Sequence, residues 1–297
     1  MNEVGLITAV LTLLIIFFTV WARWQRQKCA ETVTCVTLPA FPSRHLGNVR
    51  DISLFLPPGY TATNGAYPIL YLNDGQDVLP LRLRETMAAL IARGKITPLI
   101  VVAIPTNEDR LHEYGTAVTI NAQGLGSKAS AYTKFIVEEL MPHINQTLPV
   151  SRQPAHTAFL GMSLGGLSAF DIAWNYPHLF GTVGVFSGSF WWRAGADDPY
   201  VTPGKLIAHE LVRNGRYHPG QRFWFEAATQ DETDDRDGDG IIDAIQDTLE
   251  LMDALAQIGY KRGQEMVYAE IRGGRHNYDT WAEVLPDFLT WAFARKR

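Results

Sequence analysis

The sequence predicts an α/β fold in which a mostly parallel central sheet is covered by helices on both faces. Three observations predict it. Short apolar runs alternate with longer helical patterns over some 250 residues. The runs lack polar alternation, as strands buried on both faces do. The residues able to do chemistry fall just past the ends of those runs, where ligands of such sheets bind. With 297 residues, 46% of them apolar and 19% charged, there is ample material for a core. The net charge of −5, without a basic stripe, excludes nucleic acid as a partner.

The chain opens on an apolar stretch of 18 residues, Gly5 to Ala22, just long enough to cross a bilayer as a helix. Trp21 and Trp24 sit where an interfacial belt would lie. Only Glu3 precedes the stretch as a charge, whereas a secretory signal usually begins with Lys or Arg. Residues 1–28 therefore read as a single-pass membrane anchor, with a removed signal peptide as the alternative. Arg23, Arg26 and Lys28 favour a cytoplasmic remainder. Cys29 and Cys35 argue the other way if they pair in an oxidising compartment. Cys35 reads more readily as a buried residue of the strand-like Thr34-Cys35-Val36-Thr37, so the side of the membrane stays open. Residues 29–43 form a linker or first strand, and 44–297 form one large domain.

Within that domain Val49 to Leu56 alternates as a strand and stops at Pro57-Pro58-Gly59. Pro68 to Asn73, Leu99 to Ile104, Ala155 to Met162, Thr182 to Phe186, Phe223 to Ala227 and Met266 to Ile271 supply further strands. Helical spacing covers Leu81 to Arg93, Ser130 to Leu148, Ile242 to Ile258 and Asp279 to Phe293.

The most informative segment is Gly161-Met162-Ser163-Leu164-Gly165, which joins an apolar run to a small-residue helix. A strand-to-helix turn this tight forces strained dihedrals on the serine, and glycine two positions either side leaves room for it. A serine hydroxyl needs an imidazole to take its proton, and the imidazole needs a carboxylate to fix its tautomer. His276, in Arg272-Gly273-Gly274-Arg275-His276 past the last strand, follows every acidic candidate. Asp231 leaves the preceding strand first and is the expected acid, with Glu232 and then Asp234 behind it. Backbone N–H groups of Leu164, opening a helix, and of Gln76, in the turn after the Ile69 strand, are the expected oxyanion donors.

Tyr71-Leu72-Asn73-Asp74-Gly75-Gln76, Arg110 to Tyr114, the Gly-Met-Ser-Leu-Gly-Gly elbow, Ser187-Gly-Ser189-Phe-Trp191-Trp192 and Gly274-Arg-His276 together resemble the putative-esterase family of α/β-hydrolases. That family includes enterochelin esterases and esterase D-type enzymes. The likeness runs from about Arg44 to the C-terminus. It implies the α/β-hydrolase fold, serine carboxylesterase activity on a small-molecule ester, and roles for Ser163, Asp231 and His276 as a triad. It also implies that the acid is the least secure member, since some relatives rely on a Ser–His pair. Arg275-His276-Asn277 departs from the simpler Gly-His-Asp expected there.

Arg110, Tyr114, Trp191 and Trp192 follow strand ends and are candidate substrate contacts; Arg110 reads equally as ion-paired, and the tryptophans as packing. Asp235, Asp237, Asp239 and Asp243, with Gly240 at the sixth position of the loop, match the opening of a calcium loop. Gln246 stands where the bidentate carboxylate belongs, and an acidic cap on the following helix is the alternative. The expected mechanism is ester hydrolysis through an acyl-enzyme on an enterochelin, feruloyl or acetyl-ester type substrate. It requires no organic cofactor and allows a structural calcium. Acyl transfer of the mycolyltransferase type and a non-catalytic anchored binding module are the rival readings.

Overall fold

The computed structural model describes residues 33–63 and 65–295. Its strands are β1 (Thr34–Ser43), β2 (Asn48–Leu56), β3 (Ile69–Asn73), β4 (Ile100–Ile104), β5 (Thr157–Met162), β6 (Thr182–Phe186), β7 (Arg222–Gln230) and β8 (Met266–Arg275). They form one sheet of eight strands in the order β1-β2-β4-β3-β5-β6-β7-β8. The pairs β1–β2 and β2–β4 are antiparallel, and every pair from β4 through β8 is parallel. Every residue of β3, β4, β5 and β6 is buried, which is why these segments read as unbroken apolar runs.

Successive residues of a strand point to opposite faces, and the core divides accordingly. Ile69, Tyr71, Phe159 and Phe223 pack on one face with Leu167, Phe170 and Trp174 of α5 (Leu164–Asn175). Leu70, Leu72, Leu160 and Trp224 pack on the other. There they meet α1 (Leu83–Ala92) and α8 (Tyr278–Phe293) through Met87, Leu90, Leu285 and Phe288. The remaining helices are α2 (Arg110–Glu113), α3 (Ala129–Lys134), α4 (Met141–Thr147), α6 (Ile207–Arg213) and α7 (Asp243–Gln257).

Two expectations change. The helix predicted as one piece from Ser130 to Leu148 is α3 and α4 joined by a π-helical turn, Phe135–Leu140. Pro142 lies in the first turn of α4, where its missing N–H and its ring cannot join an unbroken α-helical ladder. Cys35 lies on the edge strand β1 as predicted but is exposed, not buried. Among the described residues no helix is long and apolar enough to cross a membrane. The span predicted at 5–22 lies outside the described residues, as does Cys29.

Candidate active site

Tight turns at the carboxyl ends of the parallel strands build the site. Between β5 and α5, Ser163 sits at φ 55°, ψ −127°, a conformation that strains any residue with a side chain. A Cβ on Gly161 would collide with the carbonyl of Gly165, so the turn closes only with glycine there. A Cβ on Gly165 would stand 2.7 Å from an oxygen of Asp74, because the loop after β3 packs directly on the first turn of α5. Asn73 Nδ2 ties the two together, donating to Gly165 O at 2.8 Å. Neither the Leu164 nor the Gln76 N–H donates to an acceptor among the described residues. The two amides expected as oxyanion donors are thus uncommitted.

The histidine and its acid come together. His276 Nδ1 lies 3.4 Å from Asp231 Oδ1, with the imidazole half-exposed and the carboxylate buried. Asp231 Oδ2 accepts the Ala228 N–H at 2.9 Å, and Oδ1 accepts the Ser187 hydroxyl at 2.9 Å. The imidazole stands edge-on to Trp281, with ring centroids 5.1 Å apart. Glu232 and Asp234, the other acidic candidates, line the neighbouring cleft, and among the described residues neither pairs with His276. Ser163 Oγ has Ser189 Oγ as its neighbour at 3.5 Å, and no hydrogen bond joins it to His276 among the described residues. Catalytic hydrogen bonds are often long before substrate closes the site.

The candidate substrate contacts divide. Trp191 is 42% exposed and lines a cleft of about 370 Å³ with Gln123, Arg193 and Glu232. Trp192 and Tyr114 have no exposed surface and are corrected to supports. Trp192 packs on Gly115 and Gly126, and the Tyr114 hydroxyl accepts the Asp74 N–H at 2.9 Å. Arg110 is ion-paired, holding both carboxylate oxygens of Asp74 at 2.7 and 2.8 Å. Burial works against its charge, but the hydrogen bonds and negative charge of Asp74 outweigh that and hold Arg110 firmly protonated.

In the acidic loop Asp235, Asp237 and Asp239 bring carboxylate oxygens within 4.8 Å of one another. Asp243 does not join them. It pairs with the Arg236 side chain and accepts the Arg236 N–H at 3.0 Å, because it opens α7.

Sequence reasoning missed Ser187, Ser189, Glu226 and Trp281. Glu226 was the one with a signal: a carboxylate in the otherwise apolar Phe223-Trp224-Phe225-Glu226-Ala227, fully buried in β7. Its Oε2 accepts the Ser187 N–H at 3.1 Å, and burial together with the negative charge of Asp231 pushes its carboxyl up to about 8.

Known proteins share this architecture. A family described as Putative esterase matches residues 43–292. The uncharacterized protein YbbA of Bacillus subtilis is 24% identical over 86% of this chain and 97% of its own length. The iron(III) enterobactin esterase of Escherichia coli K12 is 36% identical over 58% of this chain, though over only 41% of its own length. Among solved structures, an enterobactin esterase from Shigella flexneri superposes with a TM-score of 0.67 at 21% identity, covering 88% of this chain and 58% of that one. A ferulic acid esterase from Anaeromyces mucronatus gives 0.62 at 18% identity, covering 87% and 89%. The chain thus spans 41% and 58% of the lengths of these two enterobactin esterases, and nearly all of YbbA. On the match over residues 43–292, the chain belongs to the putative-esterase family.

Proposed function

We propose that the protein hydrolyses carboxylic esters through an acyl-enzyme on Ser163, with His276 as general base and Asp231 as the acid that orients it. The class of reaction, carboxylic ester hydrolysis, follows from membership of the esterase family. The assignment of residues rests above all on one observation: the strained Ser163 turn and the His276–Asp231 contact lie at the same edge of the sheet.

Each group has a task. The Ser163 hydroxyl attacks the ester carbonyl as His276 takes its proton. The carbonyl oxygen becomes an anion, which the Leu164 and Gln76 N–H groups stabilise with no acceptor of their own to give up. His276 then protonates the departing alkoxide, and water repeats the sequence in reverse on the acyl-enzyme. Asp231 stabilises the imidazolium at each transfer. The Asp74–Arg110 pair holds the loop that carries Gln76.

The proposed substrates are small esters of aromatic acids. The relatives' names include ferulic acid and enterobactin, and Trp191 offers an exposed ring two residues past Ser189, which contacts Ser163. The apolar stretch 5–22 supports a membrane-anchored form of the enzyme.

A fluorophosphonate probe tests the nucleophile: the native protein is labelled and Ser163→Ala is not. A folded native protein that resists labelling overturns the triad. Turnover of methyl ferulate against methyl acetate tests the substrate class, and equal kcat/KM for the two would remove the aromatic preference.

A further inference from the structure

A carboxylate inside an apolar strand is costly unless it is neutral or paired. Glu226 is fully buried near the end of β7, where its neighbours across the sheet are Phe186 on β6 and Ala269 on β8. Among the described residues no arginine, lysine or histidine pairs with it. Its Oε1 has no partner among the described residues, and its Oε2 faces Ser187, the residue just after β6. Ser187 stands at φ 46°, a strained placement that lets one residue serve several neighbours. Its hydroxyl accepts the indole N–H of Trp281 at 2.9 Å and lies 2.9 Å from Asp231 Oδ1 and 3.4 Å from Glu226 Oε2. Two carboxyl groups thus share one hydroxyl proton, and one of the two touches the catalytic imidazole.

We propose that Glu226 is a positioning residue of the triad: the inner member of a buried carboxyl pair that, through the Ser187 hydroxyl, keeps Asp231 turned toward His276. The inference rests on the triad reading given above. With Glu226 neutral, the Ser187 O–H is free to donate to Asp231, and the single negative charge of the pair sits beside the imidazole. When Glu226 ionises, two charges compete for that one donor. Ser187 turns toward the new carboxylate, Asp231 loses a hydrogen bond, and like-charge repulsion works against the His276 contact.

The other groups around the pair leave this transition to Glu226. Burial and the nearby carboxylates push the Tyr268 phenol on β8 far upward, so it stays neutral through the working range. Its hydroxyl donates to Glu270 at 3.4 Å, on the exposed side of that strand. Trp281 on α8 and Ser187 just after β6 do not titrate, and among the described residues His276 meets the pair only through Asp231. The transition belongs near pH 8, where burial and Asp231 place the Glu226 carboxyl.

The test is the pH profile of kcat and KM for a p-nitrophenyl ester on the full-length protein, with Glu226→Gln and Asp231→Asn beside it. In the native enzyme kcat is expected to fall several-fold above about pH 8 while KM changes little. Glu226→Gln, fixed in the neutral form, is expected to lose that alkaline fall. The same fall in Glu226→Gln as in the native enzyme overturns the proposal and leaves Glu226 a packing residue. Infrared titration of the native protein keeps the question open to refutation if the variant does not fold. A protonated-carboxyl stretch that disappears near pH 8, and at lower pH in Asp231→Asn, supports the pair; its absence at neutral pH overturns it. Unchanged kcat in Asp231→Asn sinks the triad reading instead, and is distinguishable because it bears on His276 rather than on Glu226.

Discussion

At Asp231, one carboxylate joins a solvent-facing imidazole to a buried network, so its replacement is expected to be costly out of proportion to its size. Asp231→Asn should lower kcat by roughly 10²–10⁴-fold with the fold intact, the range expected when a triad histidine loses its orienting acid. Steady-state kinetics and a circular dichroism spectrum check both halves. Arg110 tests a different idea. Arg110→Ala removes the partner of a buried Asp74 without touching the nucleophile. The expected result is a kcat about tenfold lower with little change in KM, through the loop that carries the Gln76 amide. The strained turn at Ser163 and the approach of His276 to Asp231 were legible in the sequence, through glycine spacing and chain order. Tyr114 and Trp192 misled because an aromatic residue after a strand end reads alike whether it faces solvent or core. Ser187 was illegible, since nothing in a serine's neighbours along the chain says that three elements will converge on its hydroxyl.

Helix α8 shows how an element carries function at its end. Asn277 caps it, accepting the Thr280 N–H at 3.1 Å, and the residue before the cap is His276. Asn277→Ala is expected to cost about 1 kcal/mol, read as a melting temperature lower by roughly 2–4 °C. A loss of kcat should accompany it, because the chain enters the helix through the histidine. The strands were legible because burial on both faces leaves an unmistakable apolar run. The π-helical turn before α4 was not, because amphipathic spacing survives a single widened turn and only Pro142 hinted at one. Helix α6 escaped for another reason: seven residues are too few for periodicity to stand out.

Two buried acids give the whole molecule a pH signature. Asp171, wholly buried in α5, accepts the Ala117 N–H at 2.8 Å, and burial raises its carboxyl to about 7. The folded state therefore keeps a proton that the unfolded chain releases near pH 4. Stability from this group is full below that point and is lost as pH climbs to about 7. Glu226 extends the same trend to about 8. Thermal melts are expected to show the native protein losing stability from pH 5 to 8, and Asp171→Asn losing less of it. A native protein more stable at pH 8 than at pH 5 would contradict the assignment. The opposite kind of pair holds β2 to α2, where Arg50 grips both oxygens of the buried Glu113 at 2.8 and 3.0 Å. Arg50→Ala strands that charge and is expected to cost about 3–5 kcal/mol in urea unfolding.

One hydrogen bond spans most of the chain. The Tyr278 hydroxyl on α8 donates to Asp77, 201 residues earlier, in the turn that presents Gln76. On a ribosome the serine turn and the loop after β3 emerge long before the histidine and this tyrosine do. On the proposed mechanism, a growing polypeptide therefore holds its nucleophile without a base and its oxyanion loop without a latch. On that mechanism reactivity toward esters is expected only with the last segment of synthesis, and an unfinished chain is expected to be chemically silent.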